Sequence, residues 1–160
     1  MLYTLGYGRW PAEKRLENML GALRTAHVDA VVDVRHSPCP SNSNPESNYG
    51  PRAWHLLAVG AGLDGHLRQA GIEYLWLVEL GNPQKNDKQM EILREHLAEP
   101  ERAWPVNRGL LVLKGLVDEG KTCCLLCACK DYEACHRKLI AETLRQRYYG
   151  DELEIADLAE

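Results

Sequence analysis

Three cysteines, a histidine and an arginine crowd into eleven residues near the end of the chain: Cys127, Cys129, Cys135, His136 and Arg137. Three chemistries suit that density of soft and basic groups. A cysteine whose thiolate is favoured by a helix N-terminus or a nearby arginine is a nucleophile or a redox centre, and Cys127, at a strand end, occupies such a place. Cys127, Cys129, Cys135 and His136 are four soft donors of the kind zinc takes. Their spacing is not C-x-x-C, however, and on a regular helix Cys135 and His136 would point about 100° apart, so no metal ligand is assigned. Cys127 and Cys135 would form a redox disulfide only with Cα atoms within about 7 Å of each other. Arg35 and Arg137, beside a helix N-terminus, suit a phosphate or carboxylate, and equally suit ion pairs with Asp33 or Glu79.

The elements that must position these groups are legible as hydrophobic pattern. Thr122 to Ala128 is an apolar run short enough for a strand buried on both faces. Asp131 is a suitable N-cap for a helix from Tyr132 to about Tyr149, with Leu139, Ile140, Thr143 and Leu144 on its buried side. His136 falls near the centre of that side, where the bland reading is a buried imidazole bonded to a carbonyl. Cys123 and Cys124 read as small core residues, and Cys39 as inert.

Upstream, Leu2 to Tyr7 reads as a strand ending in Gly6-Tyr7-Gly8, where glycines permit close backbone approach. A helix follows from about Pro11 to His27, with Leu16, Met19, Leu20 and Leu23 on one face. Ala30 to Val34 is a second strand that delivers Asp33 and Arg35. The Pro-, Ser- and Asn-rich segment from His36 to Arg52 reads as a functional lid rather than a plain connection. A glycine-interrupted helical region is expected from about Ala53 to Ala70. A third strand, Ile72 to Val78, leads into Glu79-Leu80-Gly81. Helices over Lys88–Leu97 and Asn107–Asp118 come before the cysteine strand, and Glu152 to Leu158 adds a short edge strand.

Strands alternating with helices predict an α/β fold: a three-layer αβα sandwich around a mainly parallel, Rossmann-like sheet of four to five strands. In such sheets ligands bind beyond the carboxyl ends of the strands. All four stronger strands end in groups with chemistry, so these groups converge on one edge. Cys127, Cys135, His136 and Asp33 are the candidate catalytic residues, and Gly6, Tyr7, Arg35, Gly81 and Arg137 the candidate ligand-binding ones. Asp33 and Glu79, the acids placed at strand ends, are the candidate general bases.

The 160 residues suit a single domain, and 45% hydrophobic with 26% charged residues is ordinary for a soluble protein. No run approaches the roughly 20 apolar residues of a membrane span, and MLYTLGYGRWP has no signal-peptide pattern, so the expected compartment is the cytoplasm. A net charge of −4 disfavours nucleic acid as a partner.

TLGYG, VVDVRHSP, GIEYLWLVELGNP and LLCACKDYEACHRKLIAETL, in this order, resemble the family catalogued as domain of unknown function 488. That family carries a D-V-R-S-x-P segment and a C-x7-C-H-R signature. The resemblance marks Gly6, Asp33, Arg35, Pro38, Leu80, Gly81, Cys127, Cys135, His136 and Arg137, and implies a three-layer α/β fold with a shared site but no established reaction. The chain departs from the pattern at Cys129, where relatives often carry glutamate, and at Ser41 to Asn44, where they tend to carry arginines. The first departure favours metal or redox chemistry, and the second weighs against polyanions. Three functions stay open: an enzyme for a small anionic, nucleotide- or phosphate-like substrate; a metal-binding or redox-sensing protein; and a non-catalytic ligand- or nucleic-acid-binding module. The sequence names no cofactor and no oligomeric state.

Overall fold

The computed structural model of the chain describes residues 1–36, 62–84 and 86–158. Most of the expected lid, the first part of the helical region expected from Ala53, and Cys39 lie outside them.

Five strands form one all-parallel sheet: β1 (Leu2–Gly6), β2 (Ala30–Asp33), β3 (Glu73–Trp76), β4 (Cys123–Cys127) and β5 (Ile155–Asp157), in the order β3-β2-β4-β1-β5. Every residue of β2 and β4 is buried, as central strands require, while the edge strands β3 and β5 are only partly covered. Five α-helices, α1 (Arg15–Thr25), α2 (Leu63–Gln69), α3 (Glu91–Ala98), α4 (Pro105–Asp118) and α5 (His136–Leu144), flank the sheet among the described residues, with short 3-10 and π turns between elements.

The pleat sorts the core into two layers. Leu5, Val31, Cys124 and Leu126 meet Met19 and Leu23 of α1 and Leu63 and Leu67 of α2. Leu2, Val32, Cys123, Leu125 and Cys127 meet residues of α3, α4 and α5 on the other face. This is the expected three-layer α/β sandwich. Among the described residues no helix is long and apolar enough to cross a membrane.

Two helix starts differ from the sequence reading. Helix α4 begins at Pro105 rather than Asn107, because proline at the first helical position lacks only an N–H that would have no partner there. Helix α5 begins at His136, four residues later than expected. Asp131 accepts the Glu133 N–H at 3.0 Å and so closes a local turn instead of capping the helix. Cys135 is the true N-cap, with extended backbone at φ −108° and ψ 143°.

Strand order locates the working edge. From β2 the chain leaves towards β3, and from β4 it leaves towards β5, so the connections diverge between β2 and β4. Doubly wound sheets open their ligand crevice at such a divergence.

Candidate functional site

The four strand ends do share one edge, but alternation of side chains divides their chemistry between opposite faces of the sheet. On the α1/α2 face Asp33 is wholly buried and fully used. Its Oδ1 accepts from the Arg35 backbone N–H at 3.0 Å and Nε at 2.9 Å, and its Oδ2 from Arg35 Nη2 at 2.5 Å and the Tyr74 hydroxyl at 2.6 Å. Arg35 also donates to the Tyr7 hydroxyl at 3.0 Å. Burial alone would lower the Arg35 pKa, but its hydrogen bonds to Asp33 and that carboxylate's charge outweigh burial and raise it. Burial and the same carboxylate keep the Tyr74 hydroxyl protonated. The ion pair between Arg35 and Asp33 that the sequence allowed is present, and both side chains are buried.

The α5 face carries the sulfur. The thiol sulfurs of Cys127, Cys129 and Cys135 all lie within 4.8 Å of one another. Cys127 donates to the Cys129 sulfur at 3.7 Å. Cys127 and Cys135 are buried, at 4% and 1% exposure, whereas Cys129 is exposed. Ionisation follows that division. Cys127, hydrogen-bonded to Cys129 and Cys135 and buried, is pushed well above the usual thiol range. Contact with Cys127 pulls Cys135 down, yet donation to Cys129 and burial prevail and bring it up to about 11. Hydrogen bonds from Cys127 and Cys135, with the nearby Arg137 charge, lower the Cys129 thiol. Cys127, the candidate nucleophile, is thus a buried thiol with a raised pKa, and the exposed cysteine with the lowered pKa is its neighbour two residues on. Cys123 and Cys124 are buried in the core, as expected, with their thiol pKa values raised by burial.

His136 spans the crevice. Its Nε2 donates to the Val34 carbonyl at 2.8 Å, and its Nδ1 stands 3.9 Å from the Cys135 sulfur. Burial lowers its pKa and keeps the ring neutral. Arg137, a candidate ligand-binding residue, is completely buried. Its Nη1 donates to the Cys129 carbonyl at 2.9 Å, Nη2 lies 3.6 Å from Asp157, and the guanidinium lies over the Tyr132 ring. Its Nε and Nη2 have no hydrogen-bond partner among the described residues.

The loop that carries Cys129 is clamped from below by the end of β1. The Gly8 N–H donates to the Ala128 carbonyl at 3.0 Å, and Arg9 Nη2 to the Lys130 carbonyl at 3.2 Å. Gly6 leaves room for the Cys129 carbonyl and the Arg137 guanidinium to pass against its backbone. Gly6 and Tyr7 thus serve as support: the first under the sulfur loop, the second under Arg35. Gly81 lines a cavity of about 370 Å³ beyond the end of β3, with His36, Val78, Glu79, Leu93 and Arg108.

Two residues of this edge were missed as site residues. Cys129 had a usable signal, since residues two apart along an extended segment share a face. Tyr74 stands in the GIEYLWLVELGNP segment that carries the family resemblance, but its contact with Asp33 follows only from the strand order that pairs β3 with β2.

Together, fold and site define a parallel three-layer α/β protein with a cysteine cluster where two crossover connections diverge. The chain belongs to the family described as Domain of unknown function DUF488, whose model matches residues 52–144. That match contains Gly81 and the run from Cys127 to Arg137, while Gly6, Tyr7, Asp33 and Arg35 precede it. No curated protein and no solved structure matches the chain.

Proposed function

We propose that this protein binds a soft or borderline metal ion of the zinc class through Cys127, Cys129 and Cys135. The observation that carries this reading is the sulfur spacing. A tetrahedral centre with metal–sulfur bonds of about 2.3 Å separates its sulfurs by about 3.7–3.8 Å. Cys127 and Cys129 stand at 3.7 Å, and the third sulfur is within 4.8 Å of both. Charge agrees, since three thiolates around a divalent ion sum to −1 and the buried Arg137 supplies a positive charge beside them. The test is elemental analysis of the purified chain with cobalt titration. One metal per chain is expected, and Cys135→Ser should abolish stoichiometric binding while circular dichroism stays native-like. A folded wild-type protein that is metal-free and takes up neither zinc nor cobalt would defeat the reading.

The exposure of Cys129 and its lowered thiol pKa favour a second reading, an enzyme that uses Cys129 as its nucleophile on a small substrate held in the cavity beside Gly81. For an anionic substrate the support is weaker, because Asp33 already engages Arg35 and Arg137 is wholly buried. In metal-free protein at neutral pH, iodoacetamide should modify Cys129 at least about tenfold faster than Cys127 or Cys135, as peptide mass mapping would show. Equal labelling of the three would remove the distinction on which this reading depends.

A further inference from the structure

We infer that His136 supplies the fourth ligand through Nδ1, making a closed Cys3His centre that fastens the end of β2 to the start of α5. The inference rests on the metal reading above and goes further, because it makes the centre structural, with no coordination position left for a substrate.

Three observations carry it. First, the angular objection to Cys135 and His136 as joint ligands does not apply. Cys135 is extended and His136 is the first helical residue, so the two side chains do not diverge as helical neighbours do. The Nδ1 atom is 3.9 Å from the Cys135 sulfur, close to the sulfur–nitrogen separation of about 3.6 Å that tetrahedral bonds of 2.3 and 2.0–2.1 Å give.

Second, the tautomer is already chosen. Nε2 donates to the Val34 carbonyl at 2.8 Å, which leaves Nδ1 as the unprotonated nitrogen with its lone pair on the sulfur side. A backbone carbonyl holding the far nitrogen is the outer-shell arrangement that orients metal-binding histidines. Third, among the described residues neither a carboxylate nor the imidazole lies within 4.8 Å of all three sulfurs, and the imidazole, already 3.9 Å from the Cys135 sulfur, would close the fourth corner by moving towards the other two. The resulting tie would cross the divergence between β2 and β4, where parallel sheets otherwise leave a crevice.

The test uses the whole wild-type chain loaded with cadmium-113 and read by cadmium–proton correlation spectroscopy. Couplings to the β-protons of Cys127, Cys129 and Cys135, together with one to Hε1 of His136 and none to its Hδ2, are expected for Nδ1 ligation. Cysteine couplings without any to His136, or coupling to both of its ring carbon-bound protons, would overturn the closed Nδ1 site and leave the three-thiolate reading standing. Absence of bound cadmium would overturn both. X-ray absorption of the zinc-loaded protein supplies an independent count, with three sulfurs and one imidazole expected against three sulfurs and one oxygen.

Discussion

Replacing Asp33 with alanine is expected to lower the stability of the folded chain by about 3–5 kcal/mol. The carboxylate is wholly buried, Arg35 is 3% exposed, and the pair is joined by hydrogen bonds from both Nε and Nη2. Truncation takes a negative partner away from a guanidinium that is almost wholly enclosed. It also deprives the Tyr74 hydroxyl and the Arg35 backbone N–H of their acceptor. The cost is that of an orphaned charge, not the net worth of the pair, and a companion variant separates the two. Asp33→Leu combined with Arg35→Met removes both charges and should recover much of the loss, since apolar replacement of a whole buried pair is often close to neutral. Urea midpoints at unchanged m-value measure both variants. A single variant within about 1 kcal/mol of wild type would show that the other partners of Arg35 hold its charge without the carboxylate.

Gly6→Ala is the second large effect, and it reaches the sulfur site without touching a sulfur. The Gly6 backbone is extended, at φ −113° and ψ 102°, so alanine could adopt its conformation. The obstacle is contact. A β-carbon there would overlap the Cys129 carbonyl and lie 2.7 and 2.8 Å from Nη1 and Nη2 of Arg137. The carbonyl is backbone and the guanidinium is enclosed, so neither yields cheaply. A loss of about 3 kcal/mol, at the upper end of ordinary overpacking, is expected. It should appear as a fall in Tm of roughly 6–12 °C for a domain of this size. Metal affinity should fall with it, because the displaced carbonyl belongs to Cys129 itself. Gly21 in α1 is the control: a β-carbon added there would meet nothing within 4 Å, and alanine should stabilise by about 0.5–1 kcal/mol through helix propensity. Equal melting temperatures for the two variants would contradict the steric argument.

The strands and their common edge were legible in the sequence because burial leaves a direct mark: Ala30 to Val32 and CCLLC are apolar on both faces. The division of that edge was less legible. Knowing that Asp33 and Cys127 both end strands does not tell which side of the sheet each serves until the register pairs Asp33 with Leu126, which places Cys127 on the opposite face. The helix start differs for a local reason, since aspartate favours both caps and turns and here Asp131 forms the turn. That shift of four residues moves Cys135 off the helix and so reverses the geometric case against its joining His136. Arg137 shows a further limit. Its sequence position gives a cation at a helix start, but only the tertiary contact with Gly6 and Asp157 turns the guanidinium inward.

The place of β1 within the sheet has a consequence for the order in which the protein can assemble. Leu2 lies in register with Cys123 on one side and Ile155 on the other, so β1 is synthesised well over a hundred residues before either of its neighbours. Such long-range parallel pairing slows folding, since a large loop must close before any reward arrives. Until β4 and β5 emerge, β1 can rely only on its own helix. The sulfur loop inherits that timing, because the backbone it rests on at Gly6 and the cysteines it carries come from opposite ends of the described chain. A nascent chain released before β5 would lack Asp157 beside Arg137, and its cysteines would meet metal or oxidant before their support was complete.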